Sequence, residues 1–234
     1  MSTAKPHRKP PLERAPQARF RHIYEALREA ITLLHHPPGV ALSEAELAQE
    51  FGTSRTPIRR VLQALEADGL VQSKQGIGTI VTTADLKSVR DVYAIRMKLA
   101  EALGELSPVS DLTPLRAELE ALIKRASKLA KSRDLEEFMR INNALQNLLS
   151  RLSTNAEFQR ITEQLYYKTI RTYFRIVAEL GWPDEARTLQ DELTAIADAL
   201  NADDLKAVGF VRRNFISTIH TRMTRYLMAE GPAA

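Results

Sequence analysis

Between Ser43 and Val81 the chain reads SEAELAQEFGTSRTPIRRVLQALEADGLVQSKQGIGTIV, and few folds accommodate that order of signals. Ser43 with Glu46 three residues later has the capping-box spacing that opens a helix. Leu47, Ala48 and Phe51 share one face of it, and Gly52 stands where a helix closes on a left-handed residue. Thr53 or Ser54 caps a second helix, whose apolar positions Ile58, Val61, Leu62 and Leu65 recur at intervals of three and four. Its other face begins with Arg55, Thr56, Arg59 and Arg60, and Asp68-Gly69 ends it. Residues 70–73 and 79–81 then flank Lys74-Gln75-Gly76-Ile77-Gly78, a hairpin with a flexible tip. A helix that follows a glycine turn with guanidinium and hydroxyl groups at its leading end is the helix-turn-helix arrangement for entering a DNA major groove.

The run LSEAELAQEFGTSRTPIRRVLQALEADGLV, with QGIGTIV after it, resembles the winged-helix DNA-binding domain of GntR-family bacterial transcription regulators over residues 20–83. The following DLKSVRDVYAIRMKLAEAL and the helical patterns beyond it resemble the FadR-type subfamily, whose all-helical effector and dimerisation domain is called FCD. The resemblance implies DNA contacts from Ser54, Arg55, Thr56 and Arg59. It adds a wing tip at Gly76, where bare backbone approaches the minor groove, and a neighbouring contact from Gln75. A further family contact, often an arginine early in the preceding helix, falls on Ala45 and is missing.

Charge distribution agrees with an anionic partner. The net charge is +4, and the first 21 residues carry six Lys and Arg against Glu13 alone. Residues 1–19 therefore read as a basic tail, either simply solvated or adding phosphate contacts that steepen the salt dependence of DNA binding. The absence of cysteine excludes a disulfide framework and thiolate metal sites. No stretch approaches a membrane span or a signal peptide, so the expectation is a cytoplasmic protein with no membrane partner.

Residues 85–229 show only helical patterns. Six segments are predicted: 85–106, one from Thr113-Pro114 through Leu129, one from Asp134 through Leu152, one from Asn155 to about Leu180, 184–201 and 203–228. Gly181-Trp182-Pro183 is expected to end the fourth. Short loops between amphipathic helices make an antiparallel bundle. The expected fold is therefore mainly α: a winged helix-turn-helix domain followed by an all-α bundle of about six helices.

Arg96 interrupts the apolar stripe of Val92, Tyr93, Leu99 and Ala100. Periodicity admits an internal ion pair, a snorkelling side chain or a waiting anion site, with the ion pair foremost, because an unpaired buried charge is costly. The resemblance points to the third, since Arg96 matches the arginine of an L-Y-x-x-R motif lining the effector cavity. It implies a carboxylate-bearing or phosphorylated metabolite. Family members often hold a metal there with an aspartate, a histidine one turn on, and two later histidines. This chain has Asn142, Gln146, Glu192 (or Leu193, by register) and Asn214 at those places, with His220 two turns further on. Amides are poor transition-metal ligands. The expectation is a cofactor-free cavity in which Asn142, Gln146, Glu192 and Asn214 meet the ligand, or else amides that satisfy one another.

An enzyme is disfavoured, because no nucleophile–histidine–acid set, metal ligand set or glycine-rich phosphate loop is visible. The expected function is a homodimeric regulator, more often a repressor in such families, that binds an inverted-repeat operator and responds to the metabolite. An effector-independent architectural DNA-binding protein is the alternative.

Overall fold

The structure is a computed structural model and describes residues 15–83 and 86–229. Helix α1 (Ala15–Thr32) lays Ile23, Leu27 and Ile31 against the buried face of α3 (Arg55–Ala67). It starts upstream of the expected boundary at residue 20, taking Gln17 and Arg19 into the helix. The rest of the expected basic tail lies outside the described residues. Between them, α2 (Glu44–Glu50) is capped by the Ser43 hydroxyl, which accepts from the Glu46 N–H. Gly52 turns the chain at φ +57°, a conformation that costs other residues a Cβ clash. Ser54 is the N-cap residue of α3, and its side chain makes no capping hydrogen bond.

Three antiparallel strands complete the first domain in the order β1-β3-β2. β1 (Ala41–Leu42) pairs Leu42 with Thr79, and β2 (Val71–Lys74) pairs Lys74 with Gly78 across the hairpin to β3 (Gly78–Val81). The wing is tied to the helix behind it: Glu66 of α3 accepts from both the N–H and the hydroxyl of Ser73.

In the second domain the described residues form helices, as expected, with one isolated bridge between Pro108 and Ser153, but the helices number seven rather than six: α4 (Leu86–Glu101), α5 (Thr113–Ala126), α6 (Leu129–Ser132), α7 (Leu135–Ser150), α8 (Ala156–Ile176), α9 (Trp182–Asn201) and α10 (Leu205–Ala229). The extra one arises because the helix from Thr113 breaks at Ser127, leaving Leu129 at the start of α6. Trp182 opens α9 rather than closing α8, and its indole N–H donates to the Leu129 carbonyl, fastening α9 to α6. Two buried carboxylates of α9 are answered antiparallel along α10: Glu185 by Arg222 at 2.9 Å, and Glu192 by Arg212 at 2.6 Å.

The domains meet along α8. Arg28 of α1 lies 3.4 Å from Glu163 and 4.3 Å from the centre of the Tyr167 ring. Gln164 donates to the Ala67 carbonyl. Arg171, itself buried, donates to the Thr82 hydroxyl at 2.8 Å and reaches the Thr82 and Leu70 carbonyls. No carboxylate is among those partners, and burial lowers the Arg171 pKa to about 10.

Helices α4 and α10 approach so closely that a Cβ on Gly209 would stand 2.5 Å from the Ala100 carbonyl oxygen. Ala normally stabilises a helix interior by about 1 kcal/mol relative to Gly. Gly209→Ala is expected to do the reverse, lowering stability by about 1–3 kcal/mol through overpacking. Urea unfolding of the two proteins checks this, and a variant more stable than the parent would contradict the close approach.

Candidate nucleic-acid interface and anion cavity

The leading end of α3 is presented to solvent because its opposite face, Ile58, Val61, Leu62 and Leu65, is consumed by the core. Ser54, Arg55, Thr56 and Arg59 are all exposed, as are Gln75 and Gly76 at the wing tip. The six residues singled out from the sequence thus lie at the head of α3 and on the wing of one domain, with Glu66 fixing the wing to the helix that carries Arg55, Thr56 and Arg59 and is capped by Ser54. Arg59 is already engaged: its Nε and Nη2 donate to the two oxygens of Glu44 at 2.9 and 2.8 Å. The bidentate pair holds the Glu44 carboxyl below its ordinary range and ties the Arg59 fork to the first residue of α2. Glu44 is therefore a positioning residue that the sequence did not disclose. Arg55 carries no such partner among the described residues.

In the helical domain a small cavity of about 40 Å³, partly open to solvent, lies between α4, α7, α8 and α10. Arg96, Arg212, Gln146, Ser150 and Thr162 supply its polar lining. Arg96 is 6% exposed and donates to the Thr169 hydroxyl at 2.9 Å, its plane lying 4.9 and 5.3 Å from the Tyr93 and Tyr166 ring centres. It has no ion pair among the described residues, contrary to what periodicity ranked first. Burial pulls its pKa below the usual guanidinium value, and Arg212 repels it further. Burial also opposes the charge of Arg212, but the Glu192 carboxylate outweighs it and holds that group above its ordinary value. The cavity wall thus carries two buried guanidiniums, one of them paired with Glu192 behind it.

The structure distributes the expected effector residues unevenly. Arg96 and Gln146 line the cavity, and Gln146 Oε1 lies 3.4 Å from Arg212. Glu192 is buried behind Arg212 rather than free to meet a ligand. Asn142 is buried but donates back to the Phe138 carbonyl of its own helix and is absent from the lining. Asn214 requires correction: it is exposed, accepting from Arg213, because the inward row of α10 runs Val208, Arg212, Ile216, Ile219 and Met223. Arg212, which the sequence reading passed over, occupies the inward place two residues earlier. The same three-and-four spacing from Val208 to Ile216 would have found it.

Comparison with known proteins follows the same division. The family described as "Bacterial regulatory proteins, gntR family" matches residues 20–81, and the FCD domain matches residues 91–218. An uncharacterised HTH-type transcriptional regulator in an unstable DNA locus of Streptomyces ambofaciens is 40% identical over 57% of this chain and 56% of its own length. The uncharacterised HTH-type regulator YdhC of Bacillus subtilis is 29% identical over 64% of this chain and 67% of its own. The chain therefore spans between about half and two thirds of the length of these relatives. Among solved structures, McbR/YncC of E. coli has the same fold, with a TM-score of 0.71 at 18% identity over 91% of this chain and 98% of that one.

The charge count of the cavity makes opposite predictions for two variants. Glu192→Gln leaves the buried Arg212 without its carboxylate and is expected to cost about 3–5 kcal/mol. Arg96→Met removes a buried charge that has no carboxylate, and should leave stability unchanged or raise it. Equal losses in chemical denaturation would mean that Arg96 is a structural strut.

Proposed function

Because the chain belongs to the gntR family of bacterial regulatory proteins and carries the FCD domain, we propose that it is a sequence-specific DNA-binding transcription regulator, a repressor, whose operator affinity is set by a small anionic metabolite. The observation that carries the first half is the exposed head of α3, where Ser54, Arg55 and Thr56 stand clear beside the wing while Glu44 holds Arg59 in a fixed fork. In this reading α3 enters the major groove, Arg55 and Arg59 read base edges, and Gln75 and Gly76 follow the minor groove. Two copies joined through the helical domain, where Ile95 of α4 and Phe210 of α10 remain exposed, address the halves of an inverted repeat in the cytoplasm.

The cavity supports the second half. Its excess guanidinium favours a carboxylate or phosphate group, with Arg96 as the pairing residue and Gln146 as a hydrogen-bonding one. Coupling would run through α8, since Thr169, which accepts from Arg96, lies two residues from Arg171, which grips the exit of the winged domain. A ligand acts through this helix only if it binds the two arrangements of the domains unequally. No cation is needed: Glu192 is taken by Arg212, and the remaining candidates Asn142 and Gln146 offer amides.

Operator sites selected from a random duplex library test the DNA reading. Arg55→Ala or Arg59→Ala should each weaken binding by about 1–3 kcal/mol per half-site, roughly 5- to 150-fold. Unchanged gel-shift affinity in both variants would overturn the docking.

For the cavity, a thermal-shift screen of organic acids and sugar acids should find a stabilising compound whose effect disappears in Arg96→Met. Elemental analysis of the purified protein should find no stoichiometric transition metal; about one ion per chain would refute the metal-free reading.

A further inference from the structure

Several solvent-facing arginines are matched by a carboxylate, as with Arg140 and Glu136, Arg151 and Glu118, and Arg160 and Glu157, whereas others, Arg133, Arg175 and Arg225 among them, have no ion pair among the described residues. At the outer edge of α3 two such unmatched arginines flank one groove. Thr56 and Arg60 form a row one residue round the helix from Arg55 and Arg59. The Arg59 row abuts Glu44, whereas the Thr56–Arg60 row faces the first turns of α1. Arg60 meets only the Phe20 ring, 6.0 Å from its centre, and neither Arg60 nor Arg19 has an ion pair among the described residues. A groove of about 200 Å³ runs between the two helices, floored by Pro16, Phe20 and Pro57 and rimmed by Arg19, Arg60 and Thr56.

We propose that Arg19 and Arg60 form a phosphate clamp on the DNA backbone beside the site read by α3, a sequence-independent contact outside the helix-turn-helix reading surface. The proposal rests on the DNA-binding reading above and extends it to α1. Continuity selects the occupant, because Thr56 belongs both to the head of the recognition helix and to the rim of the groove. Charge selects it as well. The chain's own residues 1–14 carry Lys5, Arg8, Lys9 and Arg14 against Glu13, so the rim repels them. A backbone carrying one negative charge per about 1.7 Å of duplex is attracted by two uncompensated guanidiniums on one edge. The apolar floor fits the deoxyribose faces between phosphates.

The probe is a fluorescent 40-base-pair duplex of random sequence, titrated with the full-length protein by anisotropy at several potassium chloride concentrations. For the parent, log K should fall linearly with log salt. The Arg19→Gln/Arg60→Gln double variant should flatten that slope by about 1.8 per bound chain, 0.9 for each lost phosphate contact. A Lys128→Gln/Lys131→Gln control removes the same charge from the exposed region around α6 and should leave the slope unchanged. Matching melting temperatures confirm that all three proteins fold. An unaltered slope in the double variant, or equal flattening in the control, would overturn the clamp while leaving DNA binding intact. A parent without salt-dependent binding would instead remove the reading on which the clamp rests.

Discussion

The expense of burying a guanidinium governs the second domain. Arg96, Arg171 and Arg212 are each at most 6% exposed, and one of the three has a carboxylate. A cation removed from water must recover its hydration from fixed dipoles or opposite charge. Arg212 recovers it from Glu192, Arg171 from backbone carbonyls and the Thr82 hydroxyl, and Arg96 from one hydroxyl and two aromatic faces. The third arrangement is the least complete, and it borders the cavity. The packing around it, including the fit of α10 against α4 at Gly209, holds a charged group where a core would ordinarily have a leucine.

Acidic side chains do comparable work in the winged domain. Glu44 and Glu66 sit on different helices, and each immobilises a part that would otherwise fluctuate, an arginine fork in one case and the root of the wing in the other. Both are exposed enough that their contribution to stability is small. Their effect is geometric, since less side-chain freedom remains to be lost when a duplex arrives.

Much of this was legible in the sequence. Gly52 and the Ile58–Leu65 spacing forced a helix-turn-helix, and Asp134 and Asn155 do cap α7 and α8 as polar residues before apolar runs should. The misses have specific causes. Ala15 to Arg19 looked like tail because that stretch has no large apolar residue and carries Pro16 and Arg19. The break at Ser127 carries no glycine or proline to announce it. Asn214 was placed inward by matching a relative's ligand position, although its own spacing from Val208 and Ile216 puts it outside. That Asn142 turns its amide back onto Phe138 depends on a rotamer, which no one-dimensional pattern encodes.

The grip of Arg171 has a mechanical corollary. Thr82 directly follows β3, and it is held through both its hydroxyl and its carbonyl. With its exit strand pinned, the winged head is suspended less like a weight on a string than like a door on a stiff hinge. Any reorientation of the winged head has to break these contacts, together with those of Arg28 and Gln164 along α8, or carry α8 with it.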